Sequence, residues 1–171
     1  DHISGLLDII RFYKPNNFYL FKTNIPTASA VLVKNLKRLK TNVNFIDNSK
    51  TIVLGPLTIK VLWPKNGVYN SEENNNSLVL LVEYNNVSYL LTGDLEAEQW
   101  GNISPHINSK LKVVKMPHHG AFNSLFYKKS TPMIDDFIKH KIIPNIGISC
   151  QYRNSKSYYP HIKVINELNK N

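Results

Sequence analysis

Apolar positions recur at intervals of three and four residues twice near the start of the chain. In ISGLLDIIRFYK (3–14), Leu6, Leu7, Ile10 and Tyr13 or Lys14 share one helical face, and Pro15 ends the helix because it has no N–H to extend the ladder. A second helix over 28–40, capped by Thr27, turns Leu32, Leu36 and Leu39 inward. Elsewhere the runs are shorter. FYLF (18–21) reads as a buried strand, and 43–46, 51–54 and 57–62 as further strand pieces. WPKNGVYNSEENNN (63–76) reads as a polar loop broken by Pro64 and Gly67.

SLVLLVEY (77–84) and VSYLLTG (87–93) then form a hairpin joined by Asn85-Asn86, residues that tolerate the positive φ of a tight turn. Asp94 follows, and LEAEQW continues as a helix. LKVVKM (111–116) is a strand, 131–140 a helix opened by Thr131-Pro132, IGISCQY (146–152) a strand, and 161–168 the last helix. Strands that alternate with helices in some places and pair as hairpins in others point to a mixed α/β layered domain.

At 171 residues with 42% hydrophobic content and no repeat or linker, the chain is expected to form one domain, 1–171. No apolar run approaches the roughly 20 residues of a membrane span. The single cysteine, Cys150, excludes an intrachain disulfide and reads as a small buried strand-end residue. The net charge of +9 favours a polyanionic partner such as nucleic acid, DNA or RNA, or an anionic surface. Its weight is reduced by the general richness in Lys and Asn, and Lys34, Lys37, Arg38 and Lys40 read as a solvated helix face. The chain opens on Asp1-His2-Ile3 without Met, so its true start is expected upstream.

Three features stand where strands end or the chain begins: Asp94 in LLTGD, His118-His119 in KMPHHG, and Asp1-His2. Carboxylate and imidazole suit zinc, manganese or iron, and a carboxylate can bridge two ions. Each piece alone has an ordinary structural explanation. Gly-Asp after a strand is usually a turn, a His-His pair is more often loop than ligand, and a leading Asp-His says little.

Their joint order resembles the metallo-β-lactamase superfamily, in its ComEC-like, competence-related branch. DHISGLL matches the second half of that family's H-x-H-x-D-H motif. The hairpin leading to LLTGDLE is similar to the strand pair before its metal-binding Asp, and LKVVKMPHHGAFNS to the strand before HHGS. The resemblance implies an αββα layered sandwich, with the N-terminal portion bearing the first two histidines absent from this chain. It implies two divalent metal ions, zinc or manganese, held by Asp1, His2, Asp94 as the bridging carboxylate, and His118. His119 would be a ligand or a contact to phosphate or leaving group. A metal-bound hydroxide would be the nucleophile, with Asp1 orienting it or accepting a proton. Asn76 and Ser77 sit where the family has a polar pair, with a hairpin and loop role the equal alternative.

The chain departs from the family at Ser4, where Gly is usual, and at Ala121, where HHGS has Ser, with Ser124 nearby. Near the end, Tyr159-Pro160-His161 replaces His-Pro. Either Tyr159 takes the histidine's position or His161 substitutes, and Tyr159 could hydrogen-bond a phosphate. His106 reads as exposed, His140 as a cation at a helix end, and Trp63 and Trp100 as packing residues. Tyr152, Arg153, Lys156 and Tyr158 form a basic-aromatic loop that reads as solvated or as a nucleic-acid contact. The resemblance implies a metal-dependent hydrolase, a phosphodiesterase or nuclease first. A hydrolase of a small ester or lactam, and a degenerate domain that binds nucleic acid or a partner without turnover, stay open.

Overall fold

The computed structural model describes residues 4–21, 27–65, 70–108, 110–127, 145–148 and 159–170. They form a mixed α/β structure in two compact units, one within Asp1–Ile46 and one within Asp47–Asn171.

The first unit contains α1 (Ser4–Phe12), β1 (Asn17–Leu20), α2 (Thr27–Arg38) and β2 (Asn42–Phe45). β1 and β2 are parallel, with Asn17 opposite Asn42 and Leu20 opposite Phe45. Parallel neighbours need a crossover, and α2 supplies it. Ile10, Leu32 and Leu36 form its core, with Leu6, Leu7, Phe18, Leu39 and Val43 packed around them. The first helix is shorter than the apolar spacing suggests. It stops at Phe12, and Tyr13 is 76% exposed rather than inward. The ring of Pro15 disfavours helical backbone at Lys14, so the last turn cannot form. Lys34, Lys37, Arg38 and Lys40 are all exposed.

The second unit is built on a six-stranded sheet in sequence order: β3 (Thr51–Leu54), β4 (Leu57–Trp63), β5 (Val79–Tyr84), β6 (Val87–Leu91), β7 (Leu111–Lys115) and β8 (Ile146–Gly147). Neighbours are antiparallel from β3 to β6, then parallel from β6 to β8. Asn85 and Asn86, at φ 46° and 65°, make the tight turn between β5 and β6. Ser88 and Leu90 are buried while Tyr89 and Leu91 are exposed, so strand alternation puts one face of β6 into the core.

That core gathers Leu62, Trp63, Val79, Leu81, Leu90, Leu95, Trp100, Ile103, Ile107, Leu111 and Val114. The LEAEQW segment is not one helix. Glu96 is extended, Ala97–Gln99 is a 3-10 turn, and α3 covers only Trp100–Ile103. At the segment's start the Glu96 N–H donates to the Asn75 side chain at 3.0 Å, a contact with a residue far off in sequence. Both tryptophans are buried, and each indole N–H has an acceptor, Trp63 on Asn75 O at 2.7 Å and Trp100 on Ser124 O at 3.1 Å. A separate cluster joins Met116 and Leu125 to Val164 of α4 (Ile162–Leu168). The expected helix at 131–140, most of the strand at 146–152, His140, Cys150 and the loop bearing Tyr152, Arg153, Lys156 and Tyr158 lie outside the described residues. Among the described residues no helix is long and apolar enough to cross a membrane.

Candidate metal centre

β6 and β7 lie side by side and run the same way, with Leu90 opposite Val114. Asp94 and His118 each stand four residues beyond that pair, so the chain delivers both at one edge of the sheet. The pairing continues past the strands: the His118 N–H donates to Gly93 O at 3.2 Å, and the Thr92 hydroxyl to Lys115 O at 2.8 Å. The Lys115 ammonium reaches under both turns, donating to Gly93 O at 3.0 Å and to Met116 O at 3.3 Å. Burial pushes its pKa below the usual lysine value, and the Asp94 charge opposes this in part.

The glycine of LTGD is a geometric requirement. Gly93 has φ +56°, and a Cβ there would stand 2.8 Å from Ser77 Cβ. That close approach lets Ser77 Oγ accept the Asp94 N–H at 2.9 Å, which fixes the turn presenting the carboxylate.

The HHG turn is more unusual. His118, His119 and Gly120 have φ of 43°, 53° and 75°, three successive left-handed residues, of which only the last is glycine. Each histidine carries a backbone cost of about 1–2 kcal/mol there. Such conformations persist where surrounding structure holds them, and they concentrate at functional sites. Here the holder is the Tyr159-Pro160-His161 segment. A Cβ on Gly120 would lie 2.7 Å from Pro160 Cβ, and the His161 N–H donates to Gly120 O at 2.8 Å.

The result turns both imidazoles toward carboxylates. His119 Nε2 is 3.5 Å from Asp94 Oδ2, and His118 Nδ1 is 3.8 Å from Glu96 Oε1. The Tyr159 ring packs against both, with centroids 5.8 Å from His118 and 6.3 Å from His119.

The other candidates are placed differently. His161 faces the Phe122 ring at 5.3 Å and caps α4, its Nδ1 accepting the Lys163 N–H at 3.2 Å. Ser124 is fully buried, and its hydroxyl donates to Ala121 O at 2.6 Å, so it closes a turn. The Asn76 amide donates to Asn70 O at 2.7 Å and accepts the Asn70 N–H at 2.9 Å, holding the loop before β5. His106 is exposed. Asp1 and His2 lie outside the described residues. Sequence reasoning missed Lys115, Glu96 and the asparagines around Glu96. In a chain this rich in Lys and Asn, nothing local marks those residues out.

As a metal site the donors fit in kind: a carboxylate and two imidazoles at one sheet edge, with His118 Nδ1 buried and without a hydrogen-bond partner among the described residues. Among the described residues, however, no three His, Cys, Asp or Glu side chains are gathered closely enough to hold an ion by themselves.

No protein-family model matches the chain. It is 36% identical over 103 residues to ComE operon protein 3 of Bacillus subtilis, covering 58% of this chain and 12% of that protein. It is 30% identical over 114 residues to Recombination protein 2 of Haemophilus influenzae, covering 67% of this chain and 13% of that protein. The chain thus spans only about an eighth of the length of the curated relatives it matches. Among solved structures, a mutant of the CmlA beta-hydroxylase is similar over 57% of this chain and 20% of its own, at 16% identity and a TM-score of 0.40, an overlap too small to assign a fold.

Proposed function

We propose that the chain is a metal-dependent hydrolase of the metallo-β-lactamase type, with an αββα sandwich, acting on phosphodiester bonds of DNA or RNA. The observation that carries this reading is the left-handed turn at His118 and His119, which faces His119 Nε2 toward Asp94 Oδ2 at 3.5 Å. Two histidines held in a costly backbone conformation opposite a carboxylate are hard to account for by packing alone. The sequence likeness to ComE operon protein 3 and Recombination protein 2 supports the family, and the net charge of +9 supports a polyanionic substrate.

In this reading Asp94, His118 and His119 hold divalent ions, zinc or manganese, and the resemblance assigns Asp1 and His2 as further donors. A bound ion supplies Lewis-acid activation of water and stabilises charge developing on the phosphate. The chain's own residues provide the placement. Ser77 and Gly93 set the carboxylate, the left-handed turn sets the imidazoles, and the Lys115 ammonium offsets the Asp94 charge from below. Tyr159, 36% exposed beside both imidazoles, would offer its phenol to a phosphate oxygen.

A second reading, nucleic-acid binding without turnover, draws on Tyr159 standing where the family has histidine. Cleavage assays on single- and double-stranded DNA and on RNA, in manganese or zinc and with chelator, separate the two. Cleavage that the chelator abolishes supports the hydrolase. Salt-sensitive binding with no cleavage in any metal supports the second reading. Neither binding nor cleavage removes nucleic acid as the substrate.

A further inference from the structure

Glu96 has no part in the site as the resemblance describes it, yet its carboxylate is held by two side-chain amides. Oε1 accepts the Asn123 amide at 2.6 Å and the Asn74 amide at 3.1 Å. Its own backbone N–H is taken by Asn75 Oδ1 at 3.0 Å. Asn75 is fully buried and fixed in turn, its carbonyl accepting the Trp63 indole N–H at 2.7 Å and its amide donating to Glu98 at 2.5 Å. Two asparagines thus hold the oxygen, a third holds the backbone beside it, and Trp63 and Glu98 fix that third.

That oxygen is the one lying 3.8 Å from His118 Nδ1, the buried nitrogen with no hydrogen-bond partner among the described residues. An imidazole with an acceptor opposite Nδ1 keeps its proton there and leaves the Nε2 lone pair available. A carboxylate beyond the far nitrogen of a ligating histidine is a recurring means of orienting the ring and raising its basicity. The gap exceeds a hydrogen bond, and a ring movement of about 0.8 Å closes it.

We infer that Glu96 is a positioning residue for His118, which fixes the ring's orientation and its Nδ1–H tautomer so that Nε2 is the nitrogen offered to an ion. Asn74 and Asn123 are the clamps of Glu96. Each donates its side-chain N–H to Oε1. The inference rests on the metal-centre reading of Asp94, His118 and His119, and deepens it by adding a residue that touches neither ion nor substrate.

The test compares the wild-type protein with Glu96→Gln, Glu96→Ala and Asp94→Ala. The imidazole 15N shifts of His118 are recorded without metal, and zinc affinity is measured by competition with a chromophoric chelator. In the wild type His118 is expected mainly as the Nδ1–H tautomer, shifting toward Nε2–H in Glu96→Ala. Zinc affinity should fall about 10–100-fold in Glu96→Ala. Glu96→Gln retains an oxygen for Asn74 and Asn123, so it should fold as wild type and weaken zinc by less. It carries the test if Glu96→Ala does not fold. Wild-type tautomer and zinc affinity in the folded Glu96 variants would overturn the inference, whatever their melting temperatures. Asp94→Ala is the separate control: if it binds zinc as wild type does, the metal-centre reading itself fails.

Discussion

His119 Nε2 stands 3.5 Å from Asp94 Oδ2, across the gap between the turns that follow β6 and β7. Neither residue is near the other in sequence. Their meeting follows from a parallel register that ends two strands at one sheet edge, and from a left-handed turn that swings the second histidine back over the first strand's exit.

The left-handed backbone leads to a first prediction. Replacing His119 by Gly removes a conformational cost of about 1–2 kcal/mol and loses partly exposed contacts that include those to Asp94 and Tyr159. The metal-free variant should therefore unfold in denaturant at the wild-type midpoint or above it, while losing metal affinity. A drop of more than about 1 kcal/mol in metal-free stability would mean that the turn is not strained.

The two glycines of the site should respond in the opposite sense. Gly93→Ala and Gly120→Ala each put a Cβ at positive φ and within 2.8 Å or 2.7 Å of a neighbouring carbon. Each should cost about 2–4 kcal/mol, from the left-handed penalty plus overpacking. Urea unfolding checks this, with Gly101→Ala, which meets open space, as the control.

Much of this architecture is legible in the residues alone. The hairpin turn at Asn85-Asn86 is, because its φ values need residues of that kind. So are Asp94 and His118-His119 as strand-end candidates, since the apolar runs before them mark where the strands stop. Their convergence is not, because it depends on which strands pair and in which direction. The extended backbone at Glu96 is not legible either, and its N–H goes to an asparagine 21 residues away. Nor could the residues decide between Tyr159 and His161. The structure lays the Tyr159 ring against both imidazoles and turns His161 to Phe122.

Asn75 should be a stability residue rather than a chemical one. It is fully buried, accepts the Glu96 N–H and donates to Glu98, so Asn75→Leu strands a backbone donor and takes one donor from a carboxylate. A loss of about 2–4 kcal/mol is expected in chemical denaturation. Trp63→Phe, which frees only the Asn75 carbonyl, should cost less.

Lys115 sets a pH dependence. Its folded pKa lies below 10.5, chiefly through burial, so between the folded value and 10.5 the unfolded chain binds more protons. Stability from this group should therefore rise as pH rises through that window. Melting temperatures of wild type and Lys115→Met, measured from pH 8 to 10.5, should differ in slope, with the wild type gaining relative to the variant. Parallel slopes would place the Lys115 ammonium in solvent.

The most direct test of the metal centre is calorimetric titration of the protein with zinc and with manganese, wild type beside Asp94→Ala, both first stripped with chelator. Saturable binding is expected in the wild type and loss of that binding in Asp94→Ala, with the variant still folded by circular dichroism. Wild-type binding retained in Asp94→Ala, or no binding in the wild type, would contradict the metal-centre reading.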